Sequence, residues 1–306
     1  MREYAVERIT GLIETFEKEL AKASKHGDED AVHDLRVSIR RLRATLRTFQ
    51  QYFPEPRVKR VRRRLRRLME FAGEVRDRDI VLNLLTEAGL AQSDLAAGIR
   101  RGREDAGKDL RSELRRWKKR DDAAKWPQRL HLANPSGGSI QHNGNLVWDD
   151  AGDAMTNARE KLPQLAEEYI RKGTALATPE STVEELHGLR LATKHFRYTL
   201  EAFRPVYGER LESWVTELKE VQTYLGDIND CRVARERYAS EIATAPFLEF
   251  LDGRLARLRT EFQEYWRLHF AAPDRVEAWR KFLGPLKPVR VSSRRTERDD
   301  RQAKAV

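Results

Sequence analysis

The chain has 306 residues, 40% of them apolar and 35% charged, and its 59 Lys and Arg against 49 Asp and Glu give a net charge of +10. No run of 18 apolar residues occurs, which excludes a membrane-spanning helix, and the lone cysteine, Cys231, excludes an internal disulfide. The start, Met1-Arg2-Glu3-Tyr4, has no signal-peptide core, so a cytoplasmic protein is expected.

Residues 2–25 read as a helix with Val6, Ile9, Ile13, Phe16 and Leu20 on one face. His26-Gly27-Asp28 is a turn, and Asp28 or Asp30 can cap the helix that follows. At 100° per residue, Leu35, Ile39, Leu42, Leu46 and Phe49 of that helix form an apolar stripe. His33, Arg36, Arg40, Arg43 and Arg47 form a second stripe about 120° away. Pro54-Glu55-Pro56 separates this helix from the next, expected over 57–72 with Val58, Val61, Leu65, Leu68 and Ala72 facing the core. Gly73 stands where that helix is expected to end, and Asp77 is a natural N-cap for a further one reaching about Glu87. Residues 91–120 read as a long, charged helix with a weak apolar face.

Residues 121–150 break the pattern: Asn134-Pro135-Ser136-Gly137-Gly138-Ser139 is a loop and Asn143-Gly144-Asn145 a turn. Helices are then expected over 150–172, 179–204, 208–225, 230–243 and 246–270, with Pro163 kinking or breaking the first and Thr178-Pro179-Glu180-Ser181 opening the second. Residues 273–283 add a short helix, and the basic tail 284–306 is expected to be disordered. No period-2 strand pattern occurs, so the fold class is all-α. The expected organisation is a first bundle over 1–125, a linker over 126–149, a second bundle over 150–283 and the tail.

This division follows an internal repeat. His33-Asp34-Leu35-Arg36-Val37-Ser38-Ile39-Arg40-Arg41-Leu42-Arg43 returns 154 residues later as His187-Gly188-Leu189-Arg190-Leu191-Ala192-Thr193-Lys194-His195-Phe196-Arg197, with Thr45, Leu46 and Phe49 answered by Thr199, Leu200 and Phe203. His187, Arg190, Lys194 and Arg197 form the second copy's polar stripe, which stops at Glu201, the equivalent of Arg47. A second element repeats with an offset of 153: Arg66 answers to Lys219, Gly73 to Gly226 and Asp77 to Asp230. The Gly and Asp residues read as caps, which leaves Arg66 and Lys219 as the functional candidates.

An Arg-rich face is often merely a solvated one. Here the cations recur across the repeat, and the acidic i,i+4 partners of a solvated helix are nearly absent from the first copy. Residues 1–150 hold 32 Lys and Arg against 24 Asp and Glu, net +8, whereas 151–306 hold 27 against 25, net +2. Such a field attracts a polyanion.

The His-x-x-Arg-x-x-x-(Arg/Lys)-x-x-Arg helix, followed by Leu-x-x-Leu/Val and Gly-x-x-x-Asp, all used twice, resembles the CHAD domain, the conserved histidine α-helical domain, over roughly residues 1–283. The chain is similar to members that stand alone, without the CYTH tunnel domain. The Glu-x-Glu-x-Lys opening of that tunnel domain is missing, since Glu17-Lys18-Glu19-Leu20-Ala21 lacks the Lys, so no triphosphatase activity is inferred. The resemblance implies two four-helix bundles related by a pseudo-twofold axis, with a basic central pore or groove. It also implies binding of inorganic polyphosphate there and a link to polyphosphate granules. Carried onto this chain, the ligand-binding candidates are His33, Arg36, Arg40, Arg43, Arg66, His187, Arg190, Lys194, Arg197 and Lys219. The extra charge of the first half, at Arg41, Arg47, Arg62 and Arg63, makes the expected surface lopsided, and Arg47 and Arg62 join the candidates.

The residue types suit that ligand. Arg offers planar forks that take two oxygens at once, and Lys a compact, adaptable charge. A histidine adds charge only when protonated; the alternative is a neutral ring holding a helix start or a packing contact. A nucleic-acid binder using Arg-rich 57–67 is the competing function, but no aromatics interleave with the cations for base stacking. A phosphate-chain hydrolase needs clustered carboxylates. The repeated acids Asp77/Asp79 and Asp227/Asp230 read as caps, and no P-loop or metal-ligand spacing occurs. No catalytic residue, metal or cofactor is therefore expected, and Cys231 reads as an ordinary helix residue.

Overall fold

Asp28 accepts a hydrogen bond from the Ala31 N–H at 2.8 Å, and this cap opens the first motif helix. In the computed structural model, which describes residues 1–25, 28–120, 122–133, 147–238 and 245–284, the chain is built from eleven α-helices. They are α1 (Arg2–Lys25), α2 (Glu29–Thr48), α3 (Glu55–Glu87), α4 (Asp94–Arg120), the single turn α5 (Trp126–Arg129), α6 (Ala154–Leu176), α7 (Val183–Ala202), the single turn α8 (Arg204–Tyr207), α9 (Leu211–Tyr238), α10 (Ala245–His269) and α11 (Arg275–Leu283). No strand occurs among the described residues, so the chain is all-α as expected. None of these helices is long and apolar enough to cross a membrane. The expected turn at His26-Gly27, the loop 134–139, the turn 143–145 and the tail beyond Gly284 lie outside the described residues.

Two expectations about helix ends are corrected. α3 runs unbroken through Gly73 and α9 through Gly226, so neither glycine ends a helix and neither Asp77 nor Asp230 caps one. The reason is that the apolar face continues across each glycine. Leu68, Ala72, Val75 and Val81 are buried along α3, and Val221, Leu225, Ile228 and Cys231 along α9. A mid-helix Gly costs about 1 kcal/mol against Ala, less than burying even one such side chain stabilises. α6 likewise continues through Pro163. α7 starts later than expected, at Val183, where Thr182 and Glu185 form a reciprocal capping box.

In the first half α1 packs on α2 and α4, and α3 on α2 and α4; in the second, α7 packs on α6 and α9, α10 on α9, and α11 on α6. The halves meet where α2 crosses α7. An aromatic cluster closes one end of this seam. Phe49 and Phe203, both fully buried, meet edge to face with centroids 5.6 Å apart, and Tyr4 stacks on Phe203 at 5.6 Å. Trp148 joins them at 4.9 Å from Phe203, its Nε1–H donating to the Thr48 carbonyl at 2.7 Å. Part of the expected linker is therefore packed: Trp148 lies in the seam, and Trp126 stacks on Phe16 at 5.4 Å in the first half.

Candidate functional site

Because α2 and α7 are repeat-equivalent helices in direct contact, their cationic stripes come together along the seam. Arg36 lies across α3 where that helix carries Gly73; a Cβ there would stand 3.9 Å from Arg36 Nη1. That nitrogen is buried and has no hydrogen-bond partner. Burial, then the charge of Arg40, push Arg36 down to about 10, against the pull of Asp77. Arg40 makes no ion pair among the described residues, and its charge reaches both halves, depressing Arg36, Arg190 and Lys194.

On α7, burial lowers Arg190 while Asp230 opposes the shift. Lys194 is pushed down to about 8 by burial, then by Arg190 and Arg40. Arg36, Arg40, Arg190 and Lys194 thus form one cluster with contributions from both copies. Further along α2 and α3, Arg43 is lowered by burial and by Arg66, and Arg62 by burial, Arg47 and Arg43. The Nε atoms of Arg43, Arg62 and Arg190 are buried without a hydrogen-bond partner. Six of the expected cations, Arg36, Arg40, Arg43, Arg62, Arg190 and Lys194, have no ion pair among the described residues. Elsewhere many cations do, such as Arg103 with Asp79 at 2.9 Å and Arg235 with Asp252 at 2.6 Å.

Other candidates are engaged. Arg197 binds Glu201 at 2.7 Å and stacks on Tyr198, while Arg41 of α2 approaches the same carboxylate at 3.6 Å. Lys219 donates to Glu212 at 2.9 Å, which also holds Arg204 at 2.7 Å. Arg66 is exposed and faces Glu70 at 3.5 Å. His33 is exposed beside Arg36, at the mouth of a cavity floored by Ala72, Val75, Leu110 and Leu114. His187 Nδ1 lies 2.8 Å from Asn229 Oδ1, an acceptor, so the ring donates there.

The reading of the sequence missed the role of the acids. Asp77 and Asp230 project from the helix interiors they were expected to cap. Burial raises both, Arg36 opposes the shift at Asp77 and Arg190 at Asp230, and the charge of Asp77 raises Asp230 in turn. These repeat-equivalent acids therefore flank the cationic cluster from both halves. Their shared offset of 153 was the signal that pairs them. His195, also passed over, is half-buried in the seam and lowered by burial and by Arg47 of the other copy. Cys231 is buried with its thiol pushed up to about 11, as suits a core residue. Among the described residues no group of three His, Cys, Asp or Glu could hold a metal ion.

A family model described as the CHAD domain matches residues 7–239. Among solved structures, the chain is similar to the CHAD domain from the plant Ricinus communis, with 20% identity, 94% of this chain and 92% of that one covered, and a TM-score of 0.59. It is also similar to PptA from Streptomyces chartreusis, with 17% identity, 87% and 99% covered, and a TM-score of 0.59. At such identities the likeness is one of fold. No curated protein matches.

Proposed function

The chain belongs to the CHAD domain family, and from that premise we propose that it is a binding module for inorganic polyphosphate, holding the polyanion along the α2–α7 seam without reacting with it. The observation that carries this reading is the set of six seam cations with no ion pair among the described residues. Crowded, half-buried like charges cost electrostatic energy in the free protein. A phosphate chain threaded among them relieves that cost, satisfies the idle guanidinium nitrogens and releases counterions.

Repeat-equivalent groups act on each other across the seam: Phe49 meets Phe203, the charge of Arg40 lowers Lys194, and that of Asp77 raises Asp230. That pairing supports a twofold-related groove with cations on both walls. The nearest acids stand beside Arg36 and Arg190, where they balance charge rather than gather a metal, so the proposed role is to hold the chain. Polyphosphate granules are the proposed location.

The test is competition among long polyphosphate, single-stranded DNA and duplex DNA at matched charge and salt, with orthophosphate release followed throughout. Polyphosphate is expected to win without orthophosphate release. The quadruple variant Arg36→Glu, Arg40→Glu, Arg190→Glu, Lys194→Glu is expected to stay folded and lose binding. Preference for duplex, or full affinity in that variant, would falsify the proposal.

A further inference from the structure

α3 carries cations on more than its groove side. At 100° per residue, Arg62, Arg66, Lys59, Arg63, Arg67 and Arg60 follow one another around the helix in steps of about 20° to 40°. Arg62 lies among the seam cations, whereas Lys59, Arg60, Arg63, Arg66 and Arg67 are exposed. The series therefore leads out of the groove and over the solvent face of α3.

On its far side α4 continues it. Arg64 lies over the Trp117 ring at 5.5 Å, and Arg67 approaches Glu113 at 3.9 Å, which fixes the antiparallel register of α3 and α4. In that register Arg60 comes level with Arg120. Glu113 is buried between the helices and is approached from the α4 side by Arg116 at 3.4 Å. Arg60 and Arg63 have no ion pair among the described residues. The outer face thus sets Arg67 and Arg116 on one buried carboxylate, with Arg63 about one turn and Arg60 and Arg120 about two turns from it along the same helices.

We infer that this face is a second phosphate-binding surface, over which a polyphosphate chain too long for the groove continues across α3 onto α4. The inference rests on the polyphosphate reading of the groove. The series of cations from Arg62 outward, in which Lys59 pairs with Glu55 at 2.6 Å and Arg66 with Glu70 at 3.5 Å, favours one continuous polyanion over a separate partner. A single-stranded nucleic acid would want aromatic platforms, yet among the described residues the exposed large apolar side chains are Met155, Leu191, Val233 and Leu268, none on α3 or α4.

The experiment compares a short chain of about ten phosphates with a long one of about one hundred, across a salt series. The face variant Arg60→Ala, Arg63→Ala, Arg120→Ala changes exposed side chains only and leaves the pairs to Glu113 intact. It is expected to keep native affinity for the short chain, to lose about tenfold for the long chain, and to lower the long-chain salt slope by about two to three. Native long-chain affinity and slope in this variant overturn the inference, and if Arg40→Glu with Lys194→Glu still abolishes short-chain binding, the groove reading survives that failure. Native short-chain affinity in the groove variant overturns the groove reading instead. A loss confined to duplex DNA, with long polyphosphate unaffected, also overturns the inference and assigns the face to nucleic acid.

Discussion

Phe49 and Phe203 occupy the same place in the two copies of the repeat, and their rings meet at 5.6 Å with planes 73° apart. One contact therefore joins the halves through residues the repeat makes equivalent. Phe49→Ala is expected to cost about 3–5 kcal/mol, the range for a buried aromatic. A cycle with Phe203→Leu and Phe49→Leu should return a coupling of about 1 kcal/mol in urea unfolding. Strict additivity would mean that the rings act only by bulk.

Lys194 sets an alkaline limit. Its ammonium is held at about 8 against an ordinary 10.5, by burial first and then by Arg190 and Arg40. As pH rises through about 8 the free protein loses this charge, so polyanion affinity should fall there. Lys194→Arg stays charged and should keep its affinity at about pH 9. Between 8 and 10.5 the unfolded chain binds this proton and the folded one does not, so the native protein gains stability as pH rises across that window. Lys194→Met should lack this gain, be more stable at neutral pH by on the order of 2 kcal/mol, and bind polyphosphate more weakly. Thermal unfolding across the pH window, beside binding titrations, reads both.

Asp77 and Asp230 set an acidic trend. Burial raises both carboxyls above the ordinary 3.8, so falling pH removes their negative charge while the arginines keep theirs. Native affinity should therefore rise on acidification through the range just above 3.8. Asp77→Asn with Asp230→Asn should bind about tenfold tighter at neutral pH, as loss of like-charge repulsion predicts, and show no further rise. An unchanged profile in the double variant would remove these acids from the field of the ligand.

His187 is oriented by Asn229, 2.8 Å from its Nδ1. Asn229→Leu deletes the acceptor and keeps the volume. Its loss of polyphosphate affinity is expected to match that of His187→Ala, with no further loss in the double variant, because both act through one ring. Full additivity in titration calorimetry would show that the residues act independently.

Much of this was legible in the residues. The stripes of α2 and α7 placed the seam cations on one side of each helix, and the 154-residue offset paired Arg40 with Lys194. The continuity of α3 and α9 was not legible, because Gly73 and Gly226 satisfy a local rule for helix ends that long-range burial overrides. Misplacing those ends turned Asp77 and Asp230 into caps. The ion pairs were hidden for another reason. Glu70 takes Arg66 at i,i+4 within α3 and Glu212 takes Lys219 at i,i+7 within α9, neighbours on a wheel that compared the cations alone, whereas the pairing of Glu212 with Arg204 of α8 needs the packed structure.

The divergence between Arg47 and Glu201 gives the seam a polarity. Arg41 faces Glu201, and Arg47 acts on His195, the equivalent of Arg41. Two first halves joined in the same way would set Arg41 against the other copy's Arg47, cation against cation, twice. Two second halves would set His195 against Glu201 and lose the arginines of the first wall. Two changed positions in a duplicated helix thus let the first half meet the second with one Arg–Glu pair, where a second copy of itself would bring two Arg–Arg oppositions.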